Sequence, residues 1–284
     1  METKEQKIKV VVNGLGKMAL VVAEAVALTE DMELLPFSLV GSDFNNKNLR
    51  IGGKKFQTFG PDEKHLFLRK TQNRRPDVII EFSLATAVAE NVDFYTKNLF
   101  PFVLGTTFGN LTNLPAYIEQ KVSEAKVISA VVAPNMAKDI VLMQAMFDFA
   151  AKNFPGALKD FIAYPVESHQ STKPDTSGTA KAIVADLITL GAECSIEKIE
   201  KRRTEADYEA MNIPREHWGG HGWHTYSLVK NSADVFLEFT HNINGRQPYI
   251  DGTLAAARFL FDQRKEMHAF GKVFSMINVL KNTI

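Results

Sequence analysis

A β-branched apolar run, Ile8 to Asn13, ends on Gly14-Leu15-Gly16-Lys17-Met18-Ala19 and passes directly into a helical pattern. No other segment limits the fold of this chain as strongly. The residues fit G-x-G-x-x-A between a strand and a helix. In that context the glycines let the backbone turn tightly and approach a pyrophosphate held at the helix N-terminus. Lys17 to Leu28 then places Val21, Val22, Ala25 and Val26 at helical spacing. A tight turn with no ligand is the competing reading. The position of the motif at the head of an alternating series favours the nucleotide.

The series continues through Glu33 to Val40, a second strand weakened early by Pro36. Asp77 to Phe82, Pro101 to Thr107 and Lys126 to Ala133 are further short apolar runs, and Val88, Val92, Tyr95 and Leu99 form a helical stripe between two of them. Short buried strands separated by helices predict an α/β chain with an N-terminal Rossmann domain, a doubly wound parallel sheet. After Pro134 the rhythm changes. Asp139 to Phe154 reads as a helix, Leu158 to Glu167 as a strand, and Gly178 to Leu190 as a helix. Tyr226 to Lys230 and Asp234 to His241 read as strands about a polar turn. This predicts a second α+β domain on an open mixed sheet. Asp251 to Gln263 and Val273 to Leu280 read as helices.

A length of 284 residues accommodates two domains, and 45% hydrophobic with 23% charged residues fits a globular protein. The formal net charge of zero gives no global field for nucleic acid or an anionic membrane. The single cysteine, Cys194, excludes an intramolecular disulfide and fits a reducing compartment. No run is apolar enough to span a bilayer, and Met1 to Lys7 shows neither a signal core nor an Arg/Ser-rich transit segment. A cytoplasmic protein is expected; a processed organellar form has the same character.

Gly14, Gly16, Lys17 and Met18 are the first candidates for the cofactor site. Asp43, after the second strand, suits the ribose hydroxyls of NAD, whereas Ser42, Lys17 and Lys47 suit a 2′-phosphate, so NADH and NADPH both stay open. Phe82-Ser83 and Gly105-Thr106-Thr107 follow strand ends and are expected to border the nicotinamide.

The stretch Glu167-Ser168-His169-Gln170-Ser171-Thr172-Lys173-Pro174-Asp175-Thr176-Ser177-Gly178-Thr179-Ala180 carries the remaining chemistry. His169 exchanges a proton near neutral pH, and Lys173 is a cation four residues on. Ser177, Gly178 and Thr179 open a helix whose free N–H groups suit a carboxylate. Arg246 suits a second carboxylate. Taken singly, a surface histidine, a solvated lysine and a helix cap explain these residues as well. Together with a dinucleotide fingerprint they favour reduction of a small dicarboxylate. His217, His221 and His224 have loose metal-like spacing around Trp218 and Trp223, but no Cys or carboxylate cluster completes a site, and no metal is expected.

This stretch resembles the signature of the dihydrodipicolinate reductase family, E-x-H-H-x-x-K-x-D-A-P-S-G-T-A. Gly105-Thr106-Thr107, Ala133-Pro134-Asn135, Phe82-Ser83, and His241 through Arg246 to Gly252 match the family in the same order. The resemblance implies NADPH- or NADH-dependent reduction of 4-hydroxy-tetrahydrodipicolinate, with loss of water, on the diaminopimelate route to lysine. It implies His169 as the acid, Lys173 as the conserved lysine, Gly178-Thr179 on a substrate carboxylate, and Pro134 and Asn135 beside the cofactor. It also implies a dinucleotide domain of residues 1–134 completed by helices from 250–284, and residues 135–249 as a substrate domain that forms a homo-tetramer or homo-dimer. Four departures stand out. Gln170 replaces the second histidine; Asp175-Thr176-Ser177 lacks Ala-Pro and is one residue short; the glycine loop is a residue shorter and ends in Ala19; and Trp218 to Trp223 differs from the usual substrate loop. The first two are similar to the plant-type branch. A reductase of another cyclic imine and a non-catalytic dinucleotide sensor are the alternatives.

Overall fold

Val10, Val11 and Val12 have no solvent exposure. The strand that carries them, β1 (Ile8–Asn13), is therefore covered on both faces, as a central parallel strand requires. The structure is a computed structural model that describes residues 6–44, 49–106, 113–173, 175–264, 266 and 270–282. It divides into two units, Met1–Met136 with Tyr249–Ile284, and Ala137–Pro248.

The first unit runs α1 (Lys17–Leu28), β2 (Met32–Leu34), β3 (Phe37–Leu39), β4 (Arg50–Ile51), β5 (Lys54–Lys55), β6 (Gln57–Phe59), α2 (Lys64–Asn73), β7 (Val78–Glu81), α3 (Ala85–Lys97), β8 (Phe102–Leu104), α4 (Leu114–Ala125) and β9 (Ala130–Val132). The second comprises α5 (Lys138–Asn153), β10 (Phe161–His169), α6 (Gly178–Thr189), β11 (Glu200–Arg202), α7 (Glu205–Ala210), β12 (His221–Lys230) and β13 (Phe236–Asn244). The chain then returns to the first unit with α8 (Gln247–Gln263), β14 (Val273–Phe274) and α9 (Met276–Lys281).

The first sheet has the order β14-β9-β8-β7-β1-β2, and every pairing in it is parallel. All its strands thus end on one edge, the usual ligand edge of such sheets. Glu33 to Val40 is not one strand. It breaks at Pro36 into β2, which joins this sheet, and β3, which pairs with β6. Proline has no N–H to continue the ladder. Val273 to Leu280 is not wholly helical either. Val273 and Phe274 add an edge strand beside β9, and α9 begins only after the Ser275–Asn278 capping box.

In the second unit the sheet order is β11-β10-β12-β13, with β10–β11 parallel and the other pairs antiparallel. Phe147 and Ala151 of α5 and Ile183, Val184 and Leu187 of α6 pack against Ala163, Tyr226 and Leu228 of the sheet. Strand β12 starts at His221, five residues before the Tyr226 expected from the pattern, and its inward positions include His224, Tyr226 and Leu228. Among the described residues, no helix is long and apolar enough to cross a membrane.

Candidate active site

Three loops of the first unit meet at the carboxyl edge of its sheet. Gly14 has φ +98°, and a Cβ there would sit 2.6 Å from the backbone of Phe82 and Ser83. Only glycine permits both the left-handed turn and that approach. A Cβ on Gly105 would strike the Phe82 ring at 2.3 Å, and the Thr106 hydroxyl donates to the Ser83 carbonyl at 2.7 Å. Gly14, Phe82, Ser83, Gly105 and Thr106 therefore form one cluster, as a shared cofactor surface requires. Pro134 and Asn135 follow β9 on the same edge. Asp43 lies in an exposed turn beyond β3, its carboxylate folded over Gly41. Thr107 and Lys47 lie outside the described residues.

A dinucleotide fits this edge. Gly16 caps α1 without a side-chain hydrogen bond, and a Cβ at Gly16 would meet nothing within 4 Å. The helix N-terminus thus opens onto free space, flanked by Lys17 and Met18.

Beneath the loops lies a buried polar network. Glu81 and Asn13 have no exposure. Tyr95 donates to Glu81; Asn91 Nδ2 donates to Glu81 at 3.2 Å; and Glu81 accepts the Ser83 N–H at 2.6 Å. Asn13 Nδ2 donates to the Tyr95 hydroxyl at 2.7 Å, and Asn13 Oδ1 accepts the Leu39 N–H at 2.8 Å. Burial and the neighbouring Glu81 hold the Tyr95 phenol well above its ordinary pKa. The network ties β1, β7 and α3 to the Ser83 loop. Sequence reading missed it, because a polar residue ending an apolar strand looks like a strand boundary.

In the second unit, Glu167 organises the signature loop. It is fully buried. One carboxylate oxygen accepts the Ser177 N–H at 3.0 Å at the start of α6, and the other pairs with Arg203. Arg203 Nε also donates to the Lys173 carbonyl at 3.1 Å. Ser177 Oγ accepts the Thr179 N–H at 3.2 Å, capping α6. Lys173 Nζ lies 3.0 Å from Asp175. Partial burial pulls the Asp175 carboxyl up, but the hydrogen bond and charge of Lys173 leave it below its ordinary value. The Arg246 guanidinium rests on Gly220, whose added Cβ would lie 3.4 Å from it. Gly220 is two residues before Gly222, the register partner of His169, so His169, Lys173, the α6 N-terminus and Arg246 belong to one end of this unit.

His169 is joined by two histidines of β12. Its Nδ1 lies 3.0 Å from the His221 carbonyl, and its Nε2 lies 3.1 Å from His224 Nε2. His224 Nδ1 is 3.0 Å from the Tyr226 hydroxyl, and its ring stacks on His241 at 4.5 Å. Desolvation, then Arg203 and Lys173, lower the His169 pKa to about 3. Burial chiefly holds His224 well below the ordinary value, and the cations Arg203 and Lys173 act in the same direction. Both imidazoles are therefore neutral near pH 7, and hydrogen-bond partners assign their protons. A carbonyl only accepts, so His169 Nδ1 carries hydrogen and its Nε2 is a lone pair. The proton between the rings thus belongs to His224, whose Nδ1 accepts from Tyr226. The spacing of His217, His221 and His224 gave these residues no role by itself; in the structure His221 and His224 lie on β12 and back the signature loop.

Glu167, His169 and His224 place ligand-type atoms within 4.8 Å of one another. Their chemistry is that of a zinc donor set. Glu167, however, already accepts from Arg203 and the Ser177 amide, and Arg203 and Lys173 both bear electrostatically on His169. The charges fit an anion better than a cation.

Comparison with known proteins agrees with these features. The family models for the N-terminus and C-terminus of dihydrodipicolinate reductase match residues 8–136 and 139–280. The chain is 33% identical over 277 residues to "4-hydroxy-tetrahydrodipicolinate reductase 1, chloroplastic" of Arabidopsis thaliana, covering 96% of this chain and 78% of that protein. It is likewise 33% identical over 277 residues to reductase 2 of that plant, covering 96% and 77%. A solved structure, dipicolinate-bound dihydrodipicolinate reductase from Paenisporosarcina sp. TG-14, shares the fold with a TM-score of 0.61 at 19% identity, covering 95% of this chain and 98% of that one. With both family models matched in order along nearly the whole chain, this protein belongs to the dihydrodipicolinate reductase family.

Proposed function

We propose that the protein catalyses NAD(P)H-dependent reduction of 4-hydroxy-tetrahydrodipicolinate to tetrahydrodipicolinate, with loss of water, in the diaminopimelate route to lysine. One observation carries the reading: Glu167 and Arg203 fold the family signature so that His169, Lys173 and the α6 N-terminus come together.

The cofactor would be held by Gly14, Gly16, Lys17 and Met18 at its phosphates and by Phe82, Ser83, Gly105, Thr106, Thr107, Pro134 and Asn135 beyond them, with Asp43 near the ribose. When bound, it supplies a hydride. The substrate half belongs to the second unit. The N–H groups of Gly178 and Thr179, with Ser177, bind one carboxylate, and Arg246 binds the other. Fixed cations orient the ring and reduce the entropy lost in the reaction. Hydride addition leaves electron density on the ring-nitrogen side, and His169 or Lys173 delivers the balancing proton there. The protein acts as a homo-dimer or homo-tetramer in an aqueous compartment, the cytoplasm or an organelle. Exposed Leu142, Met146 and Phe149 on α5 and Phe236 on β13 support assembly through the second unit.

The test is NAD(P)H oxidation with freshly generated substrate. The wild type turns over. His169→Ala and Lys173→Ala each lose about 10²- to 10⁴-fold in kcat while cofactor affinity holds. Normal turnover in both variants would remove the site assignment, and wild-type inactivity on this substrate with turnover of another cyclic imine would change the substrate.

A further inference from the structure

We propose that His224 is a second working imidazole of the substrate site, forming with His169 a pair that takes up one proton when the dicarboxylate binds and shares the resulting charge through the single hydrogen between their Nε2 atoms. The inference rests on the substrate reading above and adds a residue and a protonation step to it.

The register makes the pair. Glu167 and His224 are direct partners across β10 and β12, and His241 is the direct partner of His224 across β12 and β13. His169, two residues beyond Glu167, shares their face of the sheet. Both outer nitrogens are anchored, Nδ1 of His169 to the His221 carbonyl and Nδ1 of His224 to the Tyr226 hydroxyl. Only the two Nε2 atoms remain, and they face each other at 3.1 Å. The His241 ring covers the other side of His224, and both of its own nitrogens are buried without a hydrogen-bond partner. It therefore packs against His224 without competing for its proton.

In this state the pair holds one proton between two nitrogens and has none to give. His169 Nδ1–H is committed to a carbonyl and its Nε2 is an acceptor. Reduction consumes one proton per hydride, so the site must be loaded. The groups that face the pair explain when. Arg203, Lys173 and burial oppose a second proton; Glu167, 4.0 Å from His169 Nε2 and already bound to Arg203, favours it only weakly. His221 and His241 are neutral neighbours, their pKa values lowered chiefly by burial. A bound dicarboxylate reverses the balance. It neutralises the cations, and each carboxylate about 4 Å from an imidazolium raises its proton affinity roughly a thousandfold at an effective dielectric near 20. The proton enters at His224 Nδ1, where the Tyr226 hydroxyl turns from donor to acceptor, and the one hydrogen already between the Nε2 atoms is then shared by a singly charged pair. On turnover that hydrogen leaves from His169 Nε2 for the ring nitrogen of the reduced substrate, and both rings are again neutral, each with its hydrogen on Nδ1.

The experiment is calorimetric titration of pyridine-2,6-dicarboxylate into the cofactor-loaded protein at pH 7.5, in buffers of differing ionisation enthalpy. The wild type is expected to take up close to one proton per site. His224→Gln should bind with less than a quarter of that uptake, and should lose at least tenfold in kcat with a smaller change in substrate KM. Its pH–rate profile should lose the ionisation assigned to the pair. Dicarboxylate binding without proton uptake by the wild type, or unchanged uptake in His224→Gln, overturns the pair and leaves the reductase reading standing. No dicarboxylate binding and no turnover by the wild type overturns both. Substitution of a buried histidine can disturb the sheet, so 15N shifts of the wild-type imidazoles supply a second reading. Two neutral rings without ligand and one shared extra proton with it support the pair; two neutral rings in the liganded protein overturn it.

Discussion

Arg203 grips Glu167 at two atoms: its Nη1 donates to the Glu167 backbone carbonyl at 3.1 Å, and its Nη2 donates to the buried carboxylate. The carboxylate in turn holds the Ser177 amide at the mouth of α6. One guanidinium thus sets the spacing between the strand that ends in His169 and the helix that opens at Gly178. Arg203→Ala leaves a buried carboxylate unpaired, which costs about 3–5 kcal/mol. Urea unfolding should show that loss. Arg203→Lys keeps the charge but not the planar fork, and should recover part of the stability while kcat/KM stays well below wild type.

The buried histidines give stability a pH dependence of definite sign. The folded pKa of His169 is lowered to about 3, against about 6.5 in the unfolded chain. Above about pH 6.5 neither state binds the proton, and the full stability is present. As pH falls from there towards 3, the unfolded state binds it first and stability drops, by up to about 1.4 kcal/mol per pH unit for this group. Burial lowers His241 to about 4 in the same sense. Denaturant midpoints at pH 7.5, 6 and 5 should decline, and His169→Gln should show a shallower decline. Equal slopes would refute the neutral assignment.

Gly14 and Gly16 should separate folding from cofactor binding. Gly14→Ala meets both a positive φ and backbone at 2.6 Å, so it should lower the melting temperature of the protein without cofactor. Gly16→Ala meets nothing. It should leave that melting temperature almost unchanged and weaken cofactor affinity, because the methyl group enters the space before α1. Fluorescence titration with NADH and NADPH measures the second effect.

Tyr95→Phe removes the hydroxyl that donates to Glu81 and accepts from Asn13. A buried donor and a buried acceptor lose their partner, at about 1–3 kcal/mol. The Ser83 loop hangs from the same Glu81. Thermal melts with and without cofactor should therefore show a larger loss when cofactor is present.

What was legible in the chain was local. Ile8–Asn13 and Lys17–Leu28 have the bounds read from β-branched and helical spacing, because glycine turns mark both ends of the junction. The break at Pro36 was marked by the proline, though not the separation of its two halves into different sheets, which depends on a partner at Gln57–Phe59. His224 could not be found from spacing. Its importance comes from lying opposite Glu167, 57 positions away along the chain but adjacent in the β10–β12 register. The residues before Tyr226 also carry glycines and tryptophans that obscure the alternation of a strand. Gln170 therefore suggested a site with one imidazole, whereas the second arrives from a neighbouring strand.

The pairing of Val273 and Phe274 with β9 has a consequence for biosynthesis. Residues 137–248 are contiguous, so the inserted unit has all of its strands once the ribosome has passed them. The sheet that contains β1 is begun first and finished last. The edge at Ala130 and Val131 keeps its hydrogen-bonding groups unsatisfied until Phe274 has emerged. During that interval the nascent chain carries a completed insert within an unfinished host, and the open edge is where a chaperone or a second nascent chain would attach.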